Sequence, residues 1–290
     1  MTKNINIDLY QIKSFSENPT QGNLAGVIPA AETLSETDMQ KIAEQIGASE
    51  SAFILPSACA DLRIRWFTPN AEVGMCIHAT LAALAVAQMR GDISKEFIRV
   101  ETKNATLLCH LRSNSILVHV PSYQLVSQTP LDTATLSLMP LSAAQIVETP
   151  GIVKIFDDRE LIIEVRSLDD LRHLKPTQEN YTSICHQLNV TGISIFTKQT
   201  LHASNQIHTR EFAPLYGYLE DPLCGMAAGA IYTYLNEKNP LKVEQGYFCN
   251  TSGIIQVEPG EDSTVWIGGT YCVSAHTPNF RIATHDTPSI

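Results

Sequence analysis

Long apolar runs, charged residues and basic residues are all scarce in this 290-residue chain. No stretch of 18 or more apolar residues occurs, so the sequence predicts no membrane-spanning helix and no membrane partner. Only 17% of the residues are charged and 44% are hydrophobic, a balance typical of a folded globular protein. Lys and Arg number 20 against 30 Asp and Glu, and the net charge of −10 argues against a nucleic-acid partner, which needs basic surface. A small anionic or zwitterionic substrate remains compatible, because a few local donors can hold it.

The chain also lacks nucleotide-binding and secretory signals. Neither Gly-x-Gly-x-x-Gly nor Gly-x4-Gly-Lys-Ser/Thr occurs, so nucleotide chemistry has no support. The first eight residues contain no apolar segment of the kind found in signal peptides. The seven cysteines are odd in number and widely scattered, which suits a reducing compartment. We therefore predict a cytoplasmic protein.

One half of the chain is similar to the other. The pentapeptide Arg65-Trp66-Phe67-Thr68-Pro69 recurs 145 positions later as Arg210-Glu211-Phe212-Ala213-Pro214. Each copy is followed by a turn with a cysteine, Cys76 or Cys224, and then by an apolar run. A duplication of this kind predicts two related lobes whose equivalent turns face one shared cleft.

The apolar runs at 79–88 and 227–235 are apolar nearly all round, which indicates a helix buried on every side. We predict an α+β fold with two pseudosymmetric lobes, each a curled, barrel-like, mainly antiparallel sheet around a central buried helix. Residues 121–150 are rich in Ser, Thr, Gln and Pro and predict a linker between an N-terminal lobe, 1–120, and a C-terminal lobe, 151–290. The terminal strand is a candidate to cross back to the first lobe.

Two local signals refine this outline. Ser35 and Gly47 predict the start and the end of an amphipathic helix, with Met39, Ile42 and Ala43 on its apolar face. The polar tail after Val273 is expected to be poorly ordered.

Cys76 and Cys224 are candidates for reactive cysteines. Each is predicted at a helix N-terminus, where the partial positive charge of free N–H groups favours the thiolate. Two such termini in one cleft would also bind a carboxylate. The alternative for either cysteine alone is a buried packing residue.

Glu50 is the candidate acid/base residue. Aligning residues 48–53 with residues 191–196 places Glu50 opposite Ile193, so an ionisable group occupies an otherwise apolar strand position. Partial desolvation would raise its pKa toward the range useful for proton transfer. The alternative is a glutamate at a strand start that points into water.

His78 and Asp221 lie within three residues of the two cysteines. His78 could shuttle a proton or donate a hydrogen bond, or it could only satisfy backbone groups of the first helical turn. Asp221 could cap the helix entry or act as a second acid/base group. Cys76-Ile-His78 has no third ligand at customary zinc spacing, so we predict no metal site. Gly22-Asn23 and Gly225 predict tight turns with exposed N–H groups.

Together these stretches resemble the phenazine-biosynthesis isomerase family, the PhzF-like proteins of the diaminopimelate-epimerase-like fold. The matching stretches follow the family order along nearly the whole chain: Gly22-Asn23, Ser49-Glu50-Ser51-Ala52-Phe53, Arg65-Trp66-Phe67-Thr68-Pro69, Cys76-Ile-His78-Ala79-Thr80-Leu81-Ala82, Phe212-Ala213-Pro214, Glu220-Asp221-Pro222 and Gln245-Gly246.

The resemblance implies a two-lobed protein, often a homodimer, that needs no cofactor and moves a proton between carbons of a small carboxylic acid. The proton-transferring glutamate of the family falls on Glu50. The accompanying histidine and aspartate fall on His78 and Asp221.

The sequence departs from the family pattern at both helix starts. Ile77 replaces the usual glycine between Cys76 and His78, and it places a branched side chain where a substrate carboxylate could approach the backbone. Cys224 and Met226 replace a threonine and a serine around Gly225. Paired cysteines before buried helices are, in contrast, what the related racemases and epimerases use as two opposed bases.

Three functions remain open from the sequence. The first is a cofactor-independent isomerase in which Glu50 is the acid/base group and His78 and Asp221 orient the substrate. The second is a racemase or epimerase that uses Cys76 and Cys224. The third is a non-catalytic small-molecule-binding protein. In each, Gly22, Asn23, Ile77, Gly225 and Met226 are the predicted substrate-binding residues.

Overall fold

The computed structural model describes residues 2–121, 123–262 and 264–285, and these residues form an α+β protein. The chain divides into two compact units, each of which packs mainly against itself. Unit 1 comprises Met1–Val118 and Gly268–Ile290, and unit 2 comprises His119–Ile267.

Strands outnumber helices in both units. In chain order the elements are β1 (Thr2–Ser14), β2 (Asn23–Ile28), α1 (Glu36–Ile46), β3 (Glu50–Leu55), β4 (Leu62–Phe67), β5 (Glu72–Val73), α2 (Ile77–Arg90), β6 (Phe97–Glu101), β7 (Thr106–Leu111), β8 (Ile116–Val120), β9 (Gln124–Gln128), α3 (Thr133–Leu138), β10 (Gly151–Ile155), β11 (Asp158–Glu164), α4 (Leu168–Arg172), α5 (Gln178–Leu188), β12 (Gly192–Thr197), β13 (Ile207–Phe212), β14 (Glu220–Asp221), α6 (Gly225–Tyr234), β15 (Leu241–Gln245), β16 (Gly253–Pro259), β17 (Val265–Gly269) and β18 (Tyr271–His285). Two short 3-10 helices lie at Ala143–Gln145 and Pro214–Tyr216.

Strand pairing repeats from one unit to the other. In unit 1, β2 pairs in parallel with β3, β3 pairs antiparallel with β4, and β4 pairs antiparallel with β5 and in parallel with β6. In unit 2, β11, β12, β13, β14 and β15 pair in the same order and with the same directions. Neighbouring pairs such as β1 with β2 and β10 with β11 are antiparallel. The predicted mainly antiparallel α+β fold is therefore confirmed.

The repeated pentapeptide forms the same ion pair in each unit. Nε and Nη2 of Arg65 donate to the two carboxylate oxygens of Glu72 at 2.7 and 3.0 Å. The same atoms of Arg210 donate to Glu220 at 2.8 and 2.7 Å. Each guanidinium also lies 5.1 Å from the ring centroid of the phenylalanine two residues later. A planar guanidinium suits this bidentate geometry, which explains why both copies of the pentapeptide begin with arginine.

Each unit contains one apolar helix that begins directly after a cysteine. In α2, every residue from Ile77 to Ala87 is buried, and Gly91 ends the helix in the left-handed conformation with φ of 78°. In α6, eight of the ten residues are buried. Helices of this kind are stabilised by burial on all sides. Among the residues that the structure describes, none of the helices has the length and apolarity that a membrane crossing requires.

Helix α1 begins and ends where the sequence predicts. The hydroxyl of Ser35 accepts from the backbone of Asp38, and the carboxylate of Asp38 accepts from the backbone of Ser35 at 3.2 Å. Gly47 ends the helix with φ of 67°, a conformation that glycine adopts without strain. Met39, Ile42 and Ala43 are buried in the apolar cluster of unit 1.

The segment 121–150, which composition predicts as a linker, contains β9 and α3 and lies within unit 2. Leu136, Met139 and Leu141 from this segment are buried in the apolar cluster of unit 2, together with Leu161 of β11 and Ile193 of β12. A few well-placed apolar residues thus outweigh a polar average composition.

The chain after Val273 is more regular than the sequence predicts. Strand β18 continues to His285 and pairs antiparallel with β1, within unit 1. The prediction of a poorly ordered tail is wrong for this part of the chain, because pairing along β1 depends on backbone hydrogen bonds that polar side chains do not prevent. Residues 286–290 lie outside the described residues.

Candidate functional site

Four predicted site residues of unit 1 come together at the start of α2. Asn23 begins β2 and Glu50 begins the neighbouring parallel strand β3, so both lie at the same edge of the sheet. Cys76 immediately precedes α2 and His78 lies in its first turn. All four side chains are buried. We call this group, together with Ser49, the unit 1 cluster.

His78 is at the centre of the unit 1 cluster. Its Nε2 lies 3.3 Å from Oε2 of Glu50 and 3.3 Å from the hydroxyl of Ser49. Its Nδ1 lies 3.4 Å from Nδ2 of Asn23 and 3.4 Å from Sγ of Cys76. The hydroxyl of Ser14 donates to the backbone carbonyl of His78 at 2.7 Å, which fixes the helix start against β1.

The neighbours of His78 favour one tautomer. The amide Nδ2 of Asn23 carries only hydrogens, so Nδ1 of His78 accepts from it and the ring proton resides on Nε2. Oδ1 of Asn23 lies 3.4 Å from the Ser49 hydroxyl, which shares its one proton between this oxygen and the carboxylate of Glu50. We assign this tautomer from the hydrogen-bond network. It directs the Nε2 proton at the carboxylate of Glu50.

Burial raises the pKa of Glu50 above its ordinary value, and a hydrogen bond from the Ser49 hydroxyl opposes part of this rise. The raised pKa makes the Glu50 carboxylate a stronger base than that of an exposed glutamate and lets the acid form persist to higher pH. The alternative prediction, a glutamate that points into water, does not hold, because Glu50 is only 7% exposed.

Gly22 and Ile77 are the other two predicted residues of this region: Gly22 allows a tight turn and Ile77 is buried. Gly22 has φ of 88°, and an added Cβ would lie 2.6 Å from the carbonyl oxygen of Ser14, so only glycine fits this turn before Asn23. Ile77 is 2% exposed at the first position of α2.

Asp221, Cys224, Gly225 and Met226 lie together at the start of α6 in unit 2. The side chain of Gln245 fastens this turn, because its Oε1 accepts from the backbone N–H of Cys224 at 3.2 Å and its Nε2 donates to the carbonyl of Asp221 at 2.8 Å. Asp221 in turn accepts from the backbone N–H of Leu223 at 3.0 Å.

Cys224 precedes α6 as predicted, yet its electrostatic environment favours the thiol. Burial raises the pKa of Cys224 well above its ordinary value, and the carboxyl groups of Asp221, Glu211 and Glu160 raise it further. The expected stabilisation of a thiolate by the helix terminus is therefore outweighed at this position. Cys224 therefore rests as a thiol.

Two buried carboxyl groups lie beside this turn, and the sequence does not predict that they meet. The hydroxyl of Ser194 on β12 lies 2.9 Å from Oε1 of Glu160 on β11 and 2.5 Å from Oε2 of Glu211 on β13. Gly192 provides the space, because an added Cβ would collide with both carboxyl groups. A glutamate in an apolar strand, such as Glu160 or Glu211, requires a hydrogen-bond partner, but the sequence does not identify the residue on the neighbouring strand.

Both carboxyl groups hold their protons to higher pH than an exposed glutamate does. Burial raises the pKa of Glu160 to about 7, although hydrogen bonds from Glu211 and Ser194 oppose the rise. Burial and the charge of Glu160 raise the pKa of Glu211 well above its ordinary value. Glu211 therefore carries the proton and donates it in a hydrogen bond to Glu160.

Met226 and Gly225 complete the predicted residues of unit 2. The hydroxyl of Tyr123 donates to Sδ of Met226 at 3.7 Å, and Gly225 is the buried first residue of α6. The structure thus brings together the predicted residues of each unit, and a shared cleft for Cys76 and Cys224 stays a prediction.

Comparison with known proteins gives consistent matches over nearly the whole chain. Residues 12–276 match the family profile PhzC-PhzF, described as phenazine biosynthesis-like protein. A relative from Bacillus subtilis (strain 168), named Uncharacterized isomerase YfhB, is 26% identical and the match covers 88% of this chain and 91% of the relative. The crystal structure of a PhzF-family phenazine biosynthesis protein from Bacillus anthracis is 25% identical, with a TM-score of 0.86 and coverage of 97% of this chain and 99% of that one.

A more distant structure extends the comparison of folds. A probable proline racemase from Agrobacterium radiobacter K84 is 11% identical, with a TM-score of 0.59 and coverage of 97% of this chain and 94% of that one. At this identity the likeness concerns the fold alone. These matches confirm the predicted α+β fold class.

Proposed function

Since the chain belongs to the PhzC-PhzF family of phenazine biosynthesis-like proteins, we propose that it is a cofactor-independent isomerase that moves a proton between carbons of a small carboxylic or amino acid. The observation that carries this proposal is the buried pair of Glu50 and His78, whose Oε2 and Nε2 atoms lie 3.3 Å apart. The name of the Bacillus subtilis relative, an isomerase, agrees with it.

Glu50 is the proton-transferring group in this mechanism. Its carboxylate takes a proton from a carbon next to an electron-withdrawing group, and the resulting carboxylic acid returns the proton to a different carbon. The raised pKa of Glu50 serves both steps, because a stronger base removes the proton more readily and the acid form persists until the proton is delivered.

His78 acts as a hydrogen-bond donor beside this carboxyl group. With its proton on Nε2, the imidazole donates to the ionised form of Glu50 and steadies the charge that would otherwise be unpaired in the core. Asp221 is proposed to orient the substrate. Its backbone position is fixed by Gln245.

The substrate is proposed to be small and anionic or zwitterionic. The N-termini of helices α2 and α6 carry partial positive charge, which favours a carboxylate. Gly22, Asn23, Ile77, Gly225 and Met226 are proposed to bind it. Of these, Asn23 also positions His78, so its replacement would affect both binding and proton transfer.

A two-cysteine racemase is the second candidate, and the surroundings of the two thiols suggest which one takes the proton and which one supplies it. Cys76 and Cys224 each directly precede the apolar helix of their unit. Sγ of Cys76 lies 3.4 Å from Nδ1 of His78, which can accept the thiol proton in place of the hydrogen bond from Asn23. In this alternative Cys76 is the base, and Cys224, held as a thiol, supplies the proton to the opposite face.

Deuterium incorporation tests these proposals. The full-length protein and its Glu50→Gln, Cys76→Ala and Cys224→Ala variants are incubated in D2O with a panel of L-amino acids and small carboxylic acids, and deuterium at carbon is read by NMR. Loss of exchange in Glu50→Gln alone supports the isomerase. Loss in both cysteine variants with Glu50→Gln still active supports the racemase.

A further inference from the structure

Three side chains of the unit 1 cluster lie in a row across the imidazole of His78. Sγ of Cys76 lies 3.4 Å from Nδ1 and 4.0 Å from Nε2, so the thiol is on the Nδ1 side of the ring. Oε2 of Glu50 lies 3.3 Å from Nε2. Covalent catalysis uses a nucleophile next to a base, with the base next to a third group that orients it. The order of thiol, imidazole and carboxylate is therefore that of a catalytic triad.

The tautomer of His78 fits this order. With the ring proton on Nε2, the imidazole donates to Glu50 and has a lone pair on Nδ1, the nitrogen next to the sulfur. The Cys76 thiol can therefore pass its proton to Nδ1 while Nε2–H stays hydrogen-bonded to the carboxylate. The hydrogen bond from Asn23 to Nδ1, at 3.4 Å, is given up in this step.

The charges formed by this transfer have partners in the cluster. The positive imidazolium lies beside the carboxylate of Glu50, which compensates its charge in a buried place. The negative sulfur lies at the start of α2, a helix of 14 residues whose N-terminus carries partial positive charge. The hydroxyl and the backbone N–H of Thr80 both donate to the carbonyl of Cys76, which holds the cysteine at this position.

The corresponding helix start of unit 2 carries a methionine in place of the histidine. Met226 follows Cys224 at the same spacing at which His78 follows Cys76. A thioether does not take the proton of a thiol. The two cysteines thus share a position before a buried helix, and the adjacent base distinguishes Cys76.

We propose that Cys76, His78 and Glu50 form a nucleophilic triad, and that Cys76 forms a thioester with activated esters of small carboxylic acids. Cys76 and His78 are the catalytic residues of this reaction, and Glu50 is a positioning residue that acts through His78. Cys76 is 7% exposed, so the acyl group that reaches its sulfur is small. This activity goes beyond the isomerase proposed above and does not rest on it, because no carbon–hydrogen bond is broken.

The reaction balances as the hydrolysis of an ester. Sγ of Cys76 attacks the acyl carbon and forms a carbon–sulfur bond, while its proton moves to Nδ1 of His78. The start of α2 supplies partial positive charge for the negative oxygen of the tetrahedral intermediate. The bond to the leaving oxygen then breaks, and this oxygen takes the proton from Nδ1. Water attacks the thioester by the same route, which releases the acid and regenerates the thiol.

The ester p-nitrophenyl acetate is the probe, because its acyl group is small and its leaving group is coloured. The full-length protein is mixed with this ester near neutral pH, released p-nitrophenolate is recorded, and the acid-quenched protein is digested for peptide mass spectrometry. We expect a burst of about one p-nitrophenolate per chain, followed by a slower steady rate. The acetyl group should be found on Cys76 and not on Cys59, although Cys59 is exposed.

Three variants separate the parts of the triad. Cys76→Ala should abolish the burst. In His78→Ala the thiol has to lose its proton to solvent, so the acylation rate should rise about tenfold between about pH 7 and pH 8, whereas the wild-type rate should change by less than about twofold. Glu50→Gln removes the charge that compensates the imidazolium, so it should lower the rate at pH 7 by more than about tenfold and restore a rise with pH. A merely structural role of Glu50 would lower the rate equally at both pH values.

Cys59→Ser is the matched control. Sγ of Cys59 lies 3.6 Å from the hydroxyl of Ser57 and 3.6 Å from the carboxylate of Glu101, so this thiol contacts a carboxylate directly, without an imidazole between them. Cys59→Ser should keep the burst and the wild-type pH profile. A burst that survives Cys76→Ala, or a protein that carries no acetyl group on Cys76, overturns the triad. If Cys76→Ala or His78→Ala fails to fold by circular dichroism, the nearly isosteric Glu50→Gln decides, because a rate within about twofold of the wild type overturns the triad.

The deuterium assay separates the triad from the isomerase. Acetylation of Cys76 without deuterium exchange toward any compound supports the triad and counts against the isomerase. Exchange without acetylation of Cys76 supports the isomerase and overturns the triad.

Discussion

Nε2 of His78 lies 3.3 Å from Oε2 of Glu50, and both side chains are at least nine-tenths buried. Because Nδ1 of the same ring accepts from the amide of Asn23, the proton between the histidine and the glutamate belongs to His78 when Glu50 is ionised. The pair thus combines a carboxyl group with a raised pKa and a fixed hydrogen-bond donor. A buried glutamate in this arrangement can be ionised and is a stronger base than an exposed one.

The Glu50→Gln variant should be more stable than the wild type above neutral pH. The pKa of Glu50 is raised in the folded protein, so its contribution to stability is complete below the ordinary value of 4.5 and is lost as the pH rises through the folded value. Glutamine has nearly the same shape and no charge. We expect the thermal midpoint of the variant to exceed that of the wild type by about 2–4 °C at pH 8, a change of about 1 kcal/mol, and to match it at pH 4. A midpoint lower than that of the wild type at pH 8 would show that the charge stabilises the fold.

The neutral ring of His78 should carry its proton on Nε2. The contact from Nδ2 of Asn23 to Nδ1 is the cause, so nitrogen-15 NMR of histidine-labelled protein at pH 8 should show this tautomer for His78. Asn23→Ala removes the donor and should produce a mixture of tautomers. Ser57→Ala, which removes a hydroxyl that donates to Glu101 and not to this cluster, should leave the spectrum unchanged. A proton on Nδ1 in the wild type would contradict the assignment.

The carboxyl pair of unit 2 should make stability fall as the pH rises. The pKa values of Glu160, about 7, and Glu211 are both raised in the folded protein, so their stabilisation is complete below about 4.5 and is lost through pH 7 and above. We expect a loss on the order of a few kcal/mol between pH 5 and pH 8, measured by urea unfolding. Glu160→Gln removes the group that titrates in this range and should remove most of this slope.

An exposed residue provides the control for this experiment. Glu148 lies in the same unit and is exposed, so Glu148→Gln should keep the wild-type slope. An equal slope in Glu160→Gln and the wild type would mean that Glu160 does not titrate between pH 5 and pH 8.

How much of the molecule the sequence predicts depends on how local its signals are. Helix α1 follows from Ser35 and Gly47, which act within one turn of the chain. The duplication follows from one repeated pentapeptide, because each arginine needs the same partner in each unit. The sequence does not predict that the chain after Val273 forms strand β18, because the pairing of β18 with β1 joins residues at opposite ends of the chain.

In the candidate site, too, the sequence predicts the residues but not the long-range contacts between them. The sequence predicts Glu50, Cys76 and His78 as site residues, yet their mutual distances depend on the pairing of β2 with β3 and on the start of α2. Glu160 and Glu211 escape prediction because they meet only across three strands, and a lone glutamate in a strand carries no sign of its partner. For Cys224 the helix terminus alone predicts a thiolate, whereas burial and the carboxyl groups around it have the larger effect.

Cys224 should react slowly with alkylating agents at neutral pH. Its pKa is raised by burial and then by Asp221 and Glu211, and only the thiolate reacts. Peptide mass spectrometry after iodoacetamide should find exposed Cys59 modified well before Cys224. Asp221→Asn removes one negative charge and should speed the reaction of Cys224, while Asp169→Asn, a change to an exposed residue of α4, should not. Equal rates in the wild type and Asp221→Asn would show that this charge does not control the thiol.

Deuterium incorporation at carbon by wild type and Glu50→Gln, with any compound of the panel that the wild type labels, is the most direct test of the central claim. Glu44→Gln is the matched control, since Glu44 is an exposed residue of α1 in the same unit. If Glu50 transfers the proton, Glu50→Gln should lower the rate by about 10²–10⁴-fold with the fold unchanged, and Glu44→Gln should leave it as it is. A Glu50→Gln rate within about twofold of the wild type, below the smallest contribution expected of a general base, would contradict the account.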